Sequence, residues 1–176
     1  MRTFIIILIC CLLLLSALFS SCSTSAKVDN STVTELNLQR YLGSWYEIAR
    51  FDHSFERNMT QCTATYSLNA DGTLRVMNRG IKNGEQKESI GKAKTTETTG
   101  LLRVSFWGPF YSDYRVMMLD KDYQYALIGS GSSKYLWILS RTPQLDATIK
   151  QNILNEATRR GYDISKLIWV WDNTAE

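Results

Sequence analysis

Between Tyr41 and Arg141 the chain carries eight short stretches that alternate apolar and polar residues, and the links between them are brief. "CTATYSL" sets Cys62, Ala64, Tyr66 and Leu68 against Thr63, Thr65 and Ser67. "TLRVMNRG" puts Leu74, Val76 and Asn78 on one face, and "ESIGKAK" does the same with Ser89, Gly91 and Ala93. "LLRVSF" aligns Leu102, Val104 and Phe106, and "DYRVMML" aligns Tyr114, Val116 and Met118. "DKDYQYALIG" and "KYLWILSR" follow, and turns such as "NADG" and "KNGE" separate several of the stretches. A period of two marks half-buried strands, and Asp-Gly and Asn-Gly are hairpin turns. Parallel neighbours would need crossovers of a dozen residues or more. The links leave no room for helical crossovers, so the pattern predicts an all-β, antiparallel up-and-down meander.

Eight such strands can close into a barrel just wide enough for side chains or one small ligand. The predicted inner faces mix aromatics with Ala64, Ser89, Gly91 and Ala93, which leaves volume. That favours a cavity, with a solid β-sandwich core as the alternative. One stretch has helical spacing instead: Leu145, Ile149, Ile153 and Ala157 form a single stripe. Thr142 can cap it, Pro143 suits its first position, and Gly161 can stop it. "KLIWVW" reads as a short ninth strand.

Composition narrows the function. The chain is 44% hydrophobic with a net charge of +3, spread along its length, which argues against a nucleic-acid partner. Its single histidine, His53, argues against a histidine-built metal site or haem. No cofactor is expected. His53 lies near Asp52 and Glu56, but in a polar stretch that reads as a solvated loop.

The N-terminus reads as a targeting segment. A basic start and sixteen mostly apolar residues, Phe4 to Phe19, form a signal-peptide core across residues 1–21. "FSSC" at Phe19–Cys22 resembles the lipobox of bacterial lipoproteins, although Phe19 replaces the commoner leucine. The match implies acylation of Cys22, with residues 22–36 as a polar lipidated tether and 37–176 as the domain. Cys10 and Cys11 leave with the signal, so Cys62 remains alone and is expected to be buried.

"GSWY" at Gly43–Tyr46, "DY" at Asp122–Tyr123 and "SRTP" at Ser140–Pro143 resemble, in order, the three signature regions of the lipocalins. The fuller strings "YLGSWYEIARFDHSFER" and "YLWILSRTP" look like the bacterial outer-membrane branch related to apolipoprotein D. The resemblance covers about Asn37 to Trp171. It implies an eight-stranded lipocalin barrel with the helix packed outside. It places Trp45 at the closed end beneath Arg141, with Gly43, Asp122 and Tyr123 as structural signature residues.

Alternation from these anchors predicts Glu47, Ala49, Phe51, Tyr123, Tyr125, Leu127, Tyr135, Trp137 and Leu139 inside. Tyr46, Ile48, Leu136 and Ile138 should face out, beneath the helix. The expected ligand wall is Glu47, Ala49, Tyr66, Asn78, Ser89, Phe106, Tyr114, Met118, Tyr125 and Trp137. The resemblance further implies non-covalent binding of a fatty acid or lysophospholipid, for storage or transport. It implies an acyl-anchored protein of the bacterial outer membrane, facing the periplasm, and not an enzyme. A different ligand such as a tetrapyrrole or retinoid, a lipocalin-fold enzyme, and a filled barrel serving as an interaction protein, with a homodimer as one form, are the alternatives.

Overall fold

The computed structural model describes residues 28–171. The signal stretch 1–21, Cys22 and residues 172–176 lie outside the described residues. A short helix, α1 (Leu38–Tyr41), leads into β1 (Gly43–Phe51), β2 (Met59–Leu68), β3 (Leu74–Lys82) and β4 (Glu85–Thr95). Then come β5 (Leu101–Trp107), β6 (Phe110–Leu119), β7 (Tyr125–Gly129) and β8 (Leu136–Ser140). Helix α2 (Ala147–Arg159), a 3₁₀ turn (Ile164–Lys166) and β9 (Leu167–Trp169) complete the chain order.

The eight strands pair in sequence order, and β1 also pairs with both β8 and β2, so the sheet closes. All of these pairings are antiparallel. Strand β1 divides its length between partners. Gly43–Tyr46 pairs with β2, whereas Ala49–Phe51 pairs with β9 where β2 has turned away. The expected ninth strand therefore fills the last seam of the barrel. The β3–β4 turn is Asn83-Gly84, both at positive φ, which matches the twist of a two-residue hairpin.

Two cores sit on either side of the wall. The inner one gathers Tyr41, Trp45, Tyr66, Leu74, Val76, Ala93, Leu102, Val116, Ala126, Ile128 and Leu139. The outer one lies between helix α2 and the barrel, where Ile153 and Ala157 meet Ile48, Leu127, Leu136 and Ile138. Burying a side chain such as Ile153 is worth about 1.5–3 kcal/mol. The helical stripe and the outward faces of β1 and β8 thus meet as expected. The helix begins later than the sequence suggested. Asp146 is its N-cap, its carboxylate accepting from the amides of Thr148 and Ile149. Thr142 instead turns its hydroxyl to the Gln144 carbonyl. Gly161, at φ +88°, ends the helix, and the Tyr162 amide returns to the Ala157 carbonyl.

Residues 28–36 are seated on the barrel rather than free, which shortens the expected tether. The Val33 amide donates to the Val116 carbonyl, and the Asp29 amide to the Arg160 carbonyl. Asn30 donates to the Ser130 carbonyl at 3.0 Å, and the Arg160 guanidinium holds the Ser31 carbonyl at 2.8 Å. Buried main-chain groups need such partners, so the segment is a strap with its own bonding.

Candidate functional site

The barrel has a closed end and an open end. At the closed end Trp45 is wholly buried and donates its indole N–H to the Tyr41 carbonyl at 2.9 Å. The Arg141 guanidinium lies 3.8 Å above the Trp45 ring. Its nitrogens donate to the carbonyls of Ser44, Arg40, Tyr41, Leu42 and Tyr123. Gly43, at φ +91°, lets the chain turn in close to Arg141; a Cβ there would sit 3.4 Å from Nη1. Tyr123 is buried at φ +62° in the β6–β7 turn, and its hydroxyl accepts from the Asn37 amide. Asp122 is exposed and offers its carbonyl to the Gln124 side chain. Gly43, Trp45, Tyr123 and Arg141 assemble as one floor, and Asp122 stands exposed in the turn beside it.

Above the floor three phenols meet. The Tyr41 and Tyr114 hydroxyls are 2.6 Å apart, and Tyr66 donates to Tyr114 at 3.0 Å. Burial pushes all three phenols above the usual range, so they stay neutral. They place a polar spot in an apolar interior.

Higher still lies a buried ionic cluster. Arg50 is 1% exposed and donates through Nη1 to Glu47 Oε1 at 2.8 Å. Its Nη2 holds the carbonyls of Glu56 and Met59 at 2.7 and 3.0 Å. The Trp137 indole donates to Glu56 Oε2 at 3.3 Å. His53 Nε2 is 2.9 Å from the same oxygen but off the line of a hydrogen bond; neither ring nitrogen has a partner among the described residues. Burial raises the Glu47 carboxyl above its ordinary range; the Glu56 charge adds to the rise and Arg50 opposes it. One cation beside two carboxylates leaves an excess negative charge in a dry place, which a proton relieves. Cys62 is buried against this cluster, and burial pushes its thiol up to about 12.

The expected wall residues divide into two groups. Glu47, Tyr66, Asn78, Phe106, Tyr114 and Trp137 line the interior. Asn78 keeps a buried Oδ1 with no partner there among the described residues. Ser89 stands opposite Asn78 yet is exposed, because β5 pairs with β4 only from Lys92 to Thr95. Ala49, Met118 and Tyr125 belong instead to the outer core, as do Phe51 and Leu127. Irregularities in pairing explain each correction. Beside β8, a bulge between Glu47 and Ala49 puts both Ile48 and Ala49 outside and turns Arg50 inward. A second bulge, between Val116 and Met118, sends Met117 and Met118 out and Leu119 in. Tyr123 belongs to a turn rather than a strand, so alternation from it does not reach β7. There Ala126 and Ile128 face inward. The extra residue of a bulge reverses alternation beyond it.

Arg50, Glu56 and His53 complete the cluster, and sequence reasoning missed them. The loop expected to be solvated carries His53 at 6% exposure, stacked on Phe55 at 3.8 Å. Phe55 in turn approaches Tyr135, which stacks on Trp137. This aromatic group stands at the open end beside the β7–β8 turn.

A closed barrel of eight antiparallel strands, floored by tryptophan under arginine and flanked by a helix, defines a class of small-molecule binding barrels. The Lipocalin-like domain family model matches residues 36–172, and the chain belongs to the lipocalin family. It is 51% identical over 144 residues to the outer membrane lipoprotein Blc of Escherichia coli (strain K12), covering 80% of this chain and 81% of that one. It is 32% identical over 143 residues to apolipoprotein D of Mus musculus, covering 74% of each. Among solved structures, insecticyanin from the tobacco hornworm superposes with a TM-score of 0.65 at 20% identity, covering 80% of this chain and 82% of that one. That last likeness concerns the fold alone. Kinship with outer membrane lipoproteins places this chain at the outer membrane.

Proposed function

We propose that the barrel binds a fatty acid or lysophospholipid for storage or transport, in a protein held to the membrane by acylated Cys22 and facing the periplasm. One observation carries the reading. Inward residues at the closed end, among them Trp45, Leu74, Val76 and Leu102, are buried to within 2%. Inward residues nearer the mouth, Asn78, Val104, Phe106 and Trp137, are only half-buried. The interior is packed below and has room above.

An acyl chain entering that room would leave water at about 0.8 kcal/mol per methylene, before the cost of association. The Tyr114 hydroxyl and the Asn78 carbonyl give a polar headgroup or carboxyl end something to meet. On this reading the barrel acts by binding and desolvation. Native mass spectrometry of the mature chain, with extraction of bound lipid and titration of the emptied protein followed by tryptophan fluorescence, tests it. One lipid per barrel and saturable quenching are expected. No bound species and no titration with either lipid class would overturn the reading in favour of a filled barrel.

A further inference from the structure

The described chain exposes six large apolar side chains: Phe55, Leu68, Ile90, Trp107, Phe110 and Ile168. Two are far more exposed than the rest, Trp107 at 82% and Phe110 at 79%. They stand opposite each other across the two-residue Gly108-Pro109 tip of the β5–β6 hairpin. Phe55 lies in the β1–β2 loop at the same open end, and Ile90 lines a groove with Gly108 and Pro109. A Cβ at Gly108 would meet nothing within 4 Å, so the tip stands clear of the rest of the fold. Placing a tryptophan and a phenylalanine there in water has no benefit to the fold itself.

The strap says what covers them. It climbs the outside of the barrel from the closed end, where Asn37 meets Tyr123, to the β7–β8 turn, where Asn30 meets Ser130. Gly131 of that turn lies against Asp113 of β6, three residues below Phe110. At 3.3 Å per residue the hairpin tip rises only about 10 Å above this point. The six steps from Val28 back to Cys22 reach about 20 Å at full extension. A lipid on Cys22 therefore holds the open end within reach of the bilayer.

We propose that Trp107 and Phe110 seat the open end of the barrel in the lipid surface to which the chain is anchored. Aromatic side chains with an apolar body suit the headgroup boundary. The seat also faces a break in the wall. β4 beyond Lys92 has no partner in β5, and a groove of about 360 Å³ there runs past Ile90, Gly91 and Phe106. The proposal rests on the anchored, lipid-binding reading above.

The test uses the acylated full-length mature chain in phosphatidylethanolamine/phosphatidylglycerol vesicles. A nitroxide is attached at Phe110→Cys or, at the closed end, at Leu68→Cys; the buried Cys62 thiol does not compete. Relaxation by oxygen and by a water-soluble nickel complex reports depth. At position 110 the oxygen-to-nickel ratio should be at least fivefold that at 68. Equal ratios would overturn the proposal. So would protection from both reagents at 110, which would mark a protein interface such as a dimer. Trp107→Ser with Phe110→Ser should keep the wild-type melting temperature yet lose the vesicle-dependent blue shift of tryptophan emission. Fatty-acid titration of the same samples separates the two readings. Lipid contact at 110 without titration defeats the ligand reading alone, and titration with 110 in water defeats the docking alone.

Discussion

Replacing Arg141 by lysine isolates what the planar guanidinium does at the barrel floor. The arginine serves five carbonyls from two separate segments, 40–44 and the turn at Tyr123, and covers the Trp45 ring. Lysine keeps the charge but has one nitrogen, which can meet about two of those acceptors. Two or three charge-assisted bonds are lost at about 1.5 kcal/mol each, and a stacked contact of about 0.5–2 kcal/mol is weakened. Arg141 is half-buried, so water replaces part of the loss. The expected destabilisation is about 2–4 kcal/mol, or about 6–12 °C in melting temperature for a domain of this size. Urea denaturation followed by circular dichroism measures it. Ligand stoichiometry should not change, because the variant sits at the closed end. A loss below about 1 kcal/mol would refute the idea that the fork, rather than the charge, ties the floor together.

Trp45→Ala should cost about 3–5 kcal/mol in the same assay, as for other buried aromatics, and leave the Arg141 stack without its ring. Glu47 has a folded-state pKa raised from 4.5 to about 8, so between those values the native state holds a proton the unfolded state has released. Its contribution is therefore fully present below about pH 4.5 and declines as pH rises through 8. Urea midpoints measured across that window should fall, and Glu47→Gln should flatten the slope. With its thiol pushed up to about 12, Cys62 should resist iodoacetamide at pH 8 until the chain is unfolded in denaturant; mass spectrometry would read the added group.

Much of the barrel was legible in the sequence because its hairpins are local. Asn83-Gly84 announces its turn, and alternation is unbroken from Thr63 to Leu68, along β3 and β4 and from Leu102 to Val104, so Tyr66, Val76, Ala93 and Val104 face where the pattern puts them. The helical stripe and the outward faces of β1 and β8 met for the same reason. The inward assignments failed beyond the two bulges and on β7, where alternation was carried across the Tyr123 turn. An extra residue at Ile48 or Met117 carries no mark of its own, since isoleucine and methionine suit either side of the wall. Arg50 was hidden by the same reversal, and with it the partners that draw Glu56 and His53 out of water. Asp146 was a better cap than Thr142, and only the observed hydrogen bonds decide between two such candidates.

The double allegiance of β1 also sets the order of assembly. Its lower half needs β2, made soon after it, but its other edge waits for β8 and its upper half for β9, at the far end of the domain. Closure couples the first strand to the last, and contacts so distant in sequence form slowly. A chain emerging from an export channel N-terminus first therefore cannot complete its barrel until Trp169 has cleared the channel. The strand that seals the wall thus also makes closure the last step of chain delivery, so a chain threaded through a membrane would close only once it was through.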